Sequence, residues 1–167
     1  RFGKKGSQHY EIVRPGFKYN MMDMQAALGI HQLKALDGFI KRRMELALRY
    51  QERFAGWKEL TSPQAPAYAH RHAWHLYTVL VNPETAGFDR DAFMAKMKER
   101  NIGTGLHYRA VHLYPYYREH YGFKPGDFPH AETIGDRIVS LPLFPAMTDA
   151  DQARVLKTMA ELFGRKT

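Results

Sequence analysis

The 167-residue chain contains no cysteine, which excludes disulfide staples and thiol chemistry. It has no apolar run near the roughly 18 residues that a membrane span requires, no signal-peptide pattern, no internal repeat and no low-complexity segment. A soluble, cytoplasmic protein is therefore expected, with enough chain for one domain around a real core. Acid is in deficit, with 17 Asp and Glu against 25 Lys and Arg and a formal net charge of +8. That balance draws polyanions such as nucleic acid, acidic lipid or a sugar nucleotide, and does not choose among them. The densest basic run, residues 1–5, lacks the interleaved aromatics of a base-stacking surface. Lys41, Arg42 and Arg43 fall on a predicted helix, where they read as a solvated face. Neither nucleic acid nor membrane is expected as a partner. His70, His72, His75, His107 and His112 follow none of the usual zinc spacings, so no metal is expected.

What is present is organised around residues 14–36, RPGFKYNMMDMQAALGIHQLKAL. Pro15-Gly16 signals a turn, a short aromatic and polar segment follows, and the chain enters its longest predicted helix, about 22–55. Met21, Met24 and Leu28 make one apolar stripe, and Leu33, Leu36, Ile40, Met44, Ala47, Tyr50 and Phe54 continue at three- and four-residue steps. Such a helix extends about 50 Å, more than a domain of this size covers, so the face near Met24 and Leu28 is expected to need a partner surface. The turn delivers Lys18, Tyr19 and Asn20 to a helix N-terminus, where unpaired N–H groups and the dipole favour an anion. Simple capping by Asn20 or Asp23 is the competing use.

Further along, residues 74–81 (WHLYTVLV) give the best strand. A helix follows from an Asp89 N-cap to about Arg100, with Gly103 past its end, then a short strand over 104–108. Residues 109–129, rich in Tyr, His and Pro, predict a loop with a helical turn near 115–121. A helix over 131–139 and a short or edge strand over 141–144, bracketed by Pro142 and Pro145, come next. Thr148 opens the last helix, with Ala153, Leu156, Met159, Ala160 and Phe163 inward. The fold class is α+β: about three mostly antiparallel strands flanked by helices, with one long N-terminal helix. Gly103-Thr104-Gly105 permits close backbone approach, and His107 and Tyr108, leaving a strand end, are candidate binding groups. Arg109 brings a planar donor fork, and a satisfied structural histidine at His107 and a plain surface residue at Arg109 are the competing uses.

Four blocks then stand in order: GFKYNMMDMQAALG with QLKALDGFIKRRMELALRY, HRHAWHLYTV, RNIGTGLHYRAVH, and RIVSLPLFPAMTDAD. Together they resemble the DegT/StrS family of pyridoxal-phosphate-dependent sugar aminotransferases, most closely the subgroup that makes UDP-4-amino-4-deoxy-L-arabinose for lipid A in lipopolysaccharide biosynthesis. The resemblance implies the small domain of a fold-type I pyridoxal enzyme. It implies a homodimer in which Asn20 reaches the cofactor phosphate of the partner subunit. His107 and Tyr108 would contact the nucleotide-sugar, with Lys18 and Arg109 adding charge, and glutamate or 2-oxoglutarate would be the second substrate. It covers only the C-terminal portion of such enzymes. Residues 1–20 are accordingly expected to be a linker from a pyridoxal-phosphate-binding domain, and residues 21–167 the small domain with its connecting helix. No catalytic residue is expected here: Lys4 and Lys5 lack the context of the Schiff-base lysine, so this stretch alone is expected to be inactive. The rival readings are a catalytically silent sensor or structural relative and a basic nucleic-acid-binding module.

Overall fold

The computed structural model describes residues 16, 17 and 19–166. The chain divides into two units, Arg1–Leu36 and Asp37–Thr167. Helix α1 (Asp23–Phe54) is 32 residues long. In the first unit its apolar side chains are exposed, among them Met24, Leu28, Ile30 and Leu33.

The second unit is built on a three-stranded antiparallel sheet, in the order β1 (Leu60–Thr61), β2 (Tyr77–Val81), β3 (Ile138–Leu141). The register pairs Tyr77 with Leu141 and Val79 with Val139. Because side chains alternate across a strand, Tyr77, Val79, Val81, Val139 and Leu141 share one face, and all five are buried. That face meets Leu46, Ala47, Tyr50 and Phe54 of α1, Phe93 and Met97 of α3 (Arg90–Glu99), and Val155, Leu156 and Met159 of α6 (Asp149–Leu162) in one core cluster. Each fully buried side chain of this size stabilises the fold by about 1.5–3 kcal/mol. Tyr50 lies 4.9 Å from Tyr77 ring to ring, and its hydroxyl donates to the Pro142 carbonyl at 2.9 Å, so its polar end is not stranded.

Polar contacts fix α6 against α1. Buried Gln152 donates to the Leu46 carbonyl at 2.7 Å, and Arg42 reaches both the Met147 carbonyl and Asp149 at 2.7 Å. Thr148 and Asp151 form a reciprocal capping box at the start of α6. Arg49 and then Arg42 hold the Asp149 carboxyl down to about 2.

The remaining elements are α2 (Pro83–Ala86), a 3-10 turn (Val111–Leu113), α4 (Pro115–Tyr121) and α5 (Pro129–Arg137). The α+β class, the antiparallel sheet, the long helix, the Asp89 cap and the helical turn at 115–121 agree with expectation, and several boundaries do not. β2 starts at Tyr77, because Trp74 takes a φ of 45° and donates its N–H to His72 Nδ1, turning the chain before the strand begins. α3 ends through Asn101, at φ 55°, with Ile102 N–H on the Met97 carbonyl; Gly103 is not used. α5 stops at Arg137, since Ile138 and Val139 pair with Leu80 and Val79 of β2. β3 consequently lies before Pro142, not between the two prolines. On α6, Ala153 is exposed, while Gln152 and Val155 turn inward.

Candidate functional site

The strand expected over 104–108 is instead a single residue pair. Gly105 N–H donates to the Ser140 carbonyl at 3.0 Å and Ser140 N–H to the Gly105 carbonyl at 2.8 Å, on the edge of β3 away from β2. From there the chain lifts His107 back over Ser140. His107 Nδ1 lies 2.8 Å from Ser140 Oγ, and Ser140 is 4% exposed. A Cβ at Gly105 would stand 2.6 Å from His107 Cε1 and 3.1 Å from Nδ1, so only glycine leaves the imidazole its place.

The next residues are fixed from the other side. A Cβ at Gly135 of α5 would come within 2.7 Å of Ala110 N. α5 itself is anchored by buried Arg90, whose guanidinium donates to the carbonyls of Gly135 at 3.0 Å and Ile138 at 3.1 Å, a cation at the negative end of the helix dipole. His107 and Tyr108, joined by a cis peptide, meet edge-on with centroids 4.9 Å apart. Tyr108 is 67% exposed, and the Arg109 guanidinium lies 5.9 Å over the Tyr114 ring. His107, Tyr108 and Arg109 thus form one outward-facing run whose first member is locked to the sheet.

His112 is used differently. It is buried edge-on to Phe128 and Phe123, and its Nε2 lies 2.8 Å from Glu132 Oε1. The same oxygen accepts Gly126 N–H at 2.8 Å. These bonds, the His112 one foremost, hold the Glu132 carboxyl below the usual carboxylate range. His112 is therefore a structural histidine that clasps the loop before α5. His70 lies against the Tyr68 carbonyl and His72 accepts from Trp74, and the described residues contain no group of three metal-capable side chains.

At the helix entrance Asn20 is exposed, and Lys18 lies outside the described residues. Ala26 N–H makes the first helical bond, to the Met22 carbonyl at 2.9 Å. The reach-back cap comes from Gln25, whose Oε1 accepts Met22 N–H at 3.1 Å, where the sequence pattern pointed to Asn20 or Asp23. The N–H groups of Asp23, Met24 and Gln25 precede that first helical bond and lack an intrahelical acceptor.

Ser140, Glu132 and Arg90 were not expected at the site. Ser140 had a legible signal: in RIVSLPL it is the one small polar residue inside an apolar run, and alternation with buried Val139 and Leu141 puts it on the opposite face.

A small antiparallel sheet with helices packed on it matches the corresponding part of the sugar aminotransferase fold. The model of the DegT/DnrJ/EryC1/StrS aminotransferase family matches residues 1–160, and the chain belongs to that family. It is 44% identical over 166 residues to the spore coat polysaccharide biosynthesis protein SpsC of Bacillus subtilis, covering 97% of this chain and 42% of SpsC. The putative sugar aminotransferase Spr1654 of Streptococcus pneumoniae superposes with a TM-score of 0.86 at 26% identity, over 97% of this chain and 40% of that one. DesV of S. venezuelae, solved with a ketimine intermediate, superposes with a TM-score of 0.83 at 29% identity, over 98% and 43%. The chain thus spans about two fifths of the relatives it matches. Spr1654 has been solved in PLP and PMP forms, which makes pyridoxal phosphate the cofactor to test against these residues. They fit its phosphate end: the exposed Asn20 amide and the first-turn N–H groups of α1, which have no intrahelical acceptor, are anion donors.

Proposed function

We propose that this chain is the C-terminal part of an aminotransferase that moves an amino group from glutamate to the keto carbon of a nucleotide-linked sugar. Among such substrates, the sequence resemblance favours a UDP-linked 4-keto-pentose, which would place the reaction in the modification of lipid A. The observation that carries the reading is the locked His107 followed by exposed Tyr108 and Arg109, in a chain of this family. A nucleotide-sugar is an extended, anionic ligand rich in acceptor oxygens. An imidazole N–H, a phenol and a guanidinium in sequence match it donor by acceptor.

Bound pyridoxal phosphate supplies the electron sink for amino transfer. The role of this chain is to bind and orient. Asn20 and the first-turn N–H groups of α1 hold the cofactor phosphate of a partner subunit in a homodimer, and Lys18 adds positive charge. His107 and Tyr108 fix the sugar end of the substrate, with Arg109 at the diphosphate. The exposed Met24, Leu28 and Leu33 side chains supply dimer contact. The lysine chemistry belongs to the remainder of the full-length protein, which works in the cytoplasm, and this stretch alone is inactive.

The test is 2-oxoglutarate release by the full-length protein supplied with glutamate and a UDP-linked 4-keto-pentose. Release that depends on the sugar supports the reading. No release with any nucleotide-linked keto-sugar overturns it. Asn20→Ala in the same protein is expected to weaken cofactor retention on dialysis, and unchanged retention would remove Asn20 from the phosphate site.

A further inference from the structure

We infer that Ser140 is a positioning residue that sets the tautomer of His107, so that His107 presents Nε2–H as a hydrogen-bond donor to an acceptor oxygen of the sugar substrate. The inference rests on the proposed sugar-binding role of His107. Its basis is the buried hydroxyl. Ser140 is 4% exposed, its backbone N–H and carbonyl are both engaged by Gly105, and among the described residues the polar atom in hydrogen-bond reach of its Oγ is His107 Nδ1 at 2.8 Å.

A serine hydroxyl has one proton to donate, and burial makes an unmet donor costly. If His107 Nδ1 carried a proton and donated it to Oγ, the hydroxyl hydrogen would have no acceptor among the described residues. If the hydroxyl donates to Nδ1, both atoms are satisfied with one bond. Nδ1 is then the bare nitrogen of a neutral imidazole and Nε2 carries the proton. None of the hydrogen bonds among the described residues engages His107 Nε2, which leaves that N–H for a ligand.

Gly105 completes the device. A Cβ there would stand 2.6 Å from His107 Cε1, so the glycine seats the ring over Ser140 and does not itself bond to it. Gly105→Ala should therefore displace the ring while leaving the hydroxyl in place, and Ser140→Ala should leave the ring seated but release its tautomer. Two chemically unrelated substitutions are expected to produce the same functional defect.

The experiment uses the full-length protein with ring-nitrogen-labelled histidine, and reads the His107 tautomer by long-range proton–nitrogen NMR alongside steady-state kinetics. The wild type is expected to show Nε2–H. Ser140→Ala is expected to show mixed tautomers and a KM for the nucleotide-sugar raised roughly three- to tenfold, with the KM for glutamate unchanged. Ser140→Thr, which keeps the hydroxyl, should restore the Nε2–H signal, and Ser140→Ala should have no further effect on KM in a His107→Ala background. An Nδ1–H tautomer in the wild type overturns the inference, whether or not a variant folds. So does a Ser140→Ala protein whose tautomer and sugar KM match the wild type. If the wild type shows Nε2–H but transfers no amino group to any nucleotide-linked keto-sugar, the proposed function fails while the Ser140–His107 assignment stands.

Discussion

His107 and His112 lie in one aromatic-rich segment and are held in opposite ways. His112 is buried, packed between phenylalanines and bonded to a carboxylate that also receives backbone N–H groups. Its ring is enclosed and its Nε2 is taken by an acidic partner on α5, so it serves the fold. His107 is only half-buried, and one nitrogen is fixed by a neutral hydroxyl on a rigid sheet edge. A group fixed at one end and left open at the other suits binding. Burial and the identity of the partner thus separate two histidines that composition alone does not distinguish.

Removing the structural member should produce the largest effect on stability. His112→Ala deletes a buried ring and strips Glu132 of its side-chain partner. It is expected to destabilise the protein by about 2–4 kcal/mol in urea unfolding, with the sugar KM held within about twofold. A stability change under about 0.5 kcal/mol would mean that the clasp does not hold the loop.

Gly135→Ala should blur the contrast, because its Cβ would meet Ala110 N at 2.7 Å and push on the backbone just after His107 and Tyr108. We expect a loss of about 1–3 kcal/mol, together with a raised sugar KM, measured on the same preparation. His107→Ala should give the mirror image of His112→Ala: about 1 kcal/mol of stability, from the stranded Ser140 hydroxyl, and a sugar KM raised roughly tenfold.

The smallest effect is a pH dependence. The folded Glu132 carboxyl titrates below its unfolded value, so its stabilisation is present in full above the unfolded value and is lost as pH falls through the folded one. Glu132→Gln should therefore narrow its stability deficit against the wild type on acidification. A deficit that grows as pH falls would reverse the assignment.

Much of this was legible in the sequence, and unevenly so. The long helix, the Asp89 cap and the Thr148 start announce themselves through local patterns: apolar steps of three and four, and small polar residues at helix entrances. The misplaced end of α5 and start of β3 share a cause, which is that a tertiary partner outcompeted local propensity, whereas the β2 start and the α3 end were shifted by local turns at Trp74 and Asn101. Ile138 and Val139 extend a helical pattern, yet they gain more by pairing with β2. Gly105 was visible as a place of close approach, and Ser140 stands out as a polar residue in an apolar run, but the seating of His107 on Ser140 was not legible. Their contact joins segments distant in sequence and depends on register, which periodicity does not encode. His112 gave no sign of its role, because its acceptor lies on a different helix.

The most direct measurement is the KM of the full-length protein for the nucleotide-sugar and for glutamate, taken side by side on wild type, His107→Ala and His112→Ala. The account predicts amino transfer in the wild type, a raised KM for the sugar alone in His107→Ala, and near wild-type constants for folded His112→Ala. Equal sugar KM values in wild type and His107→Ala would contradict it.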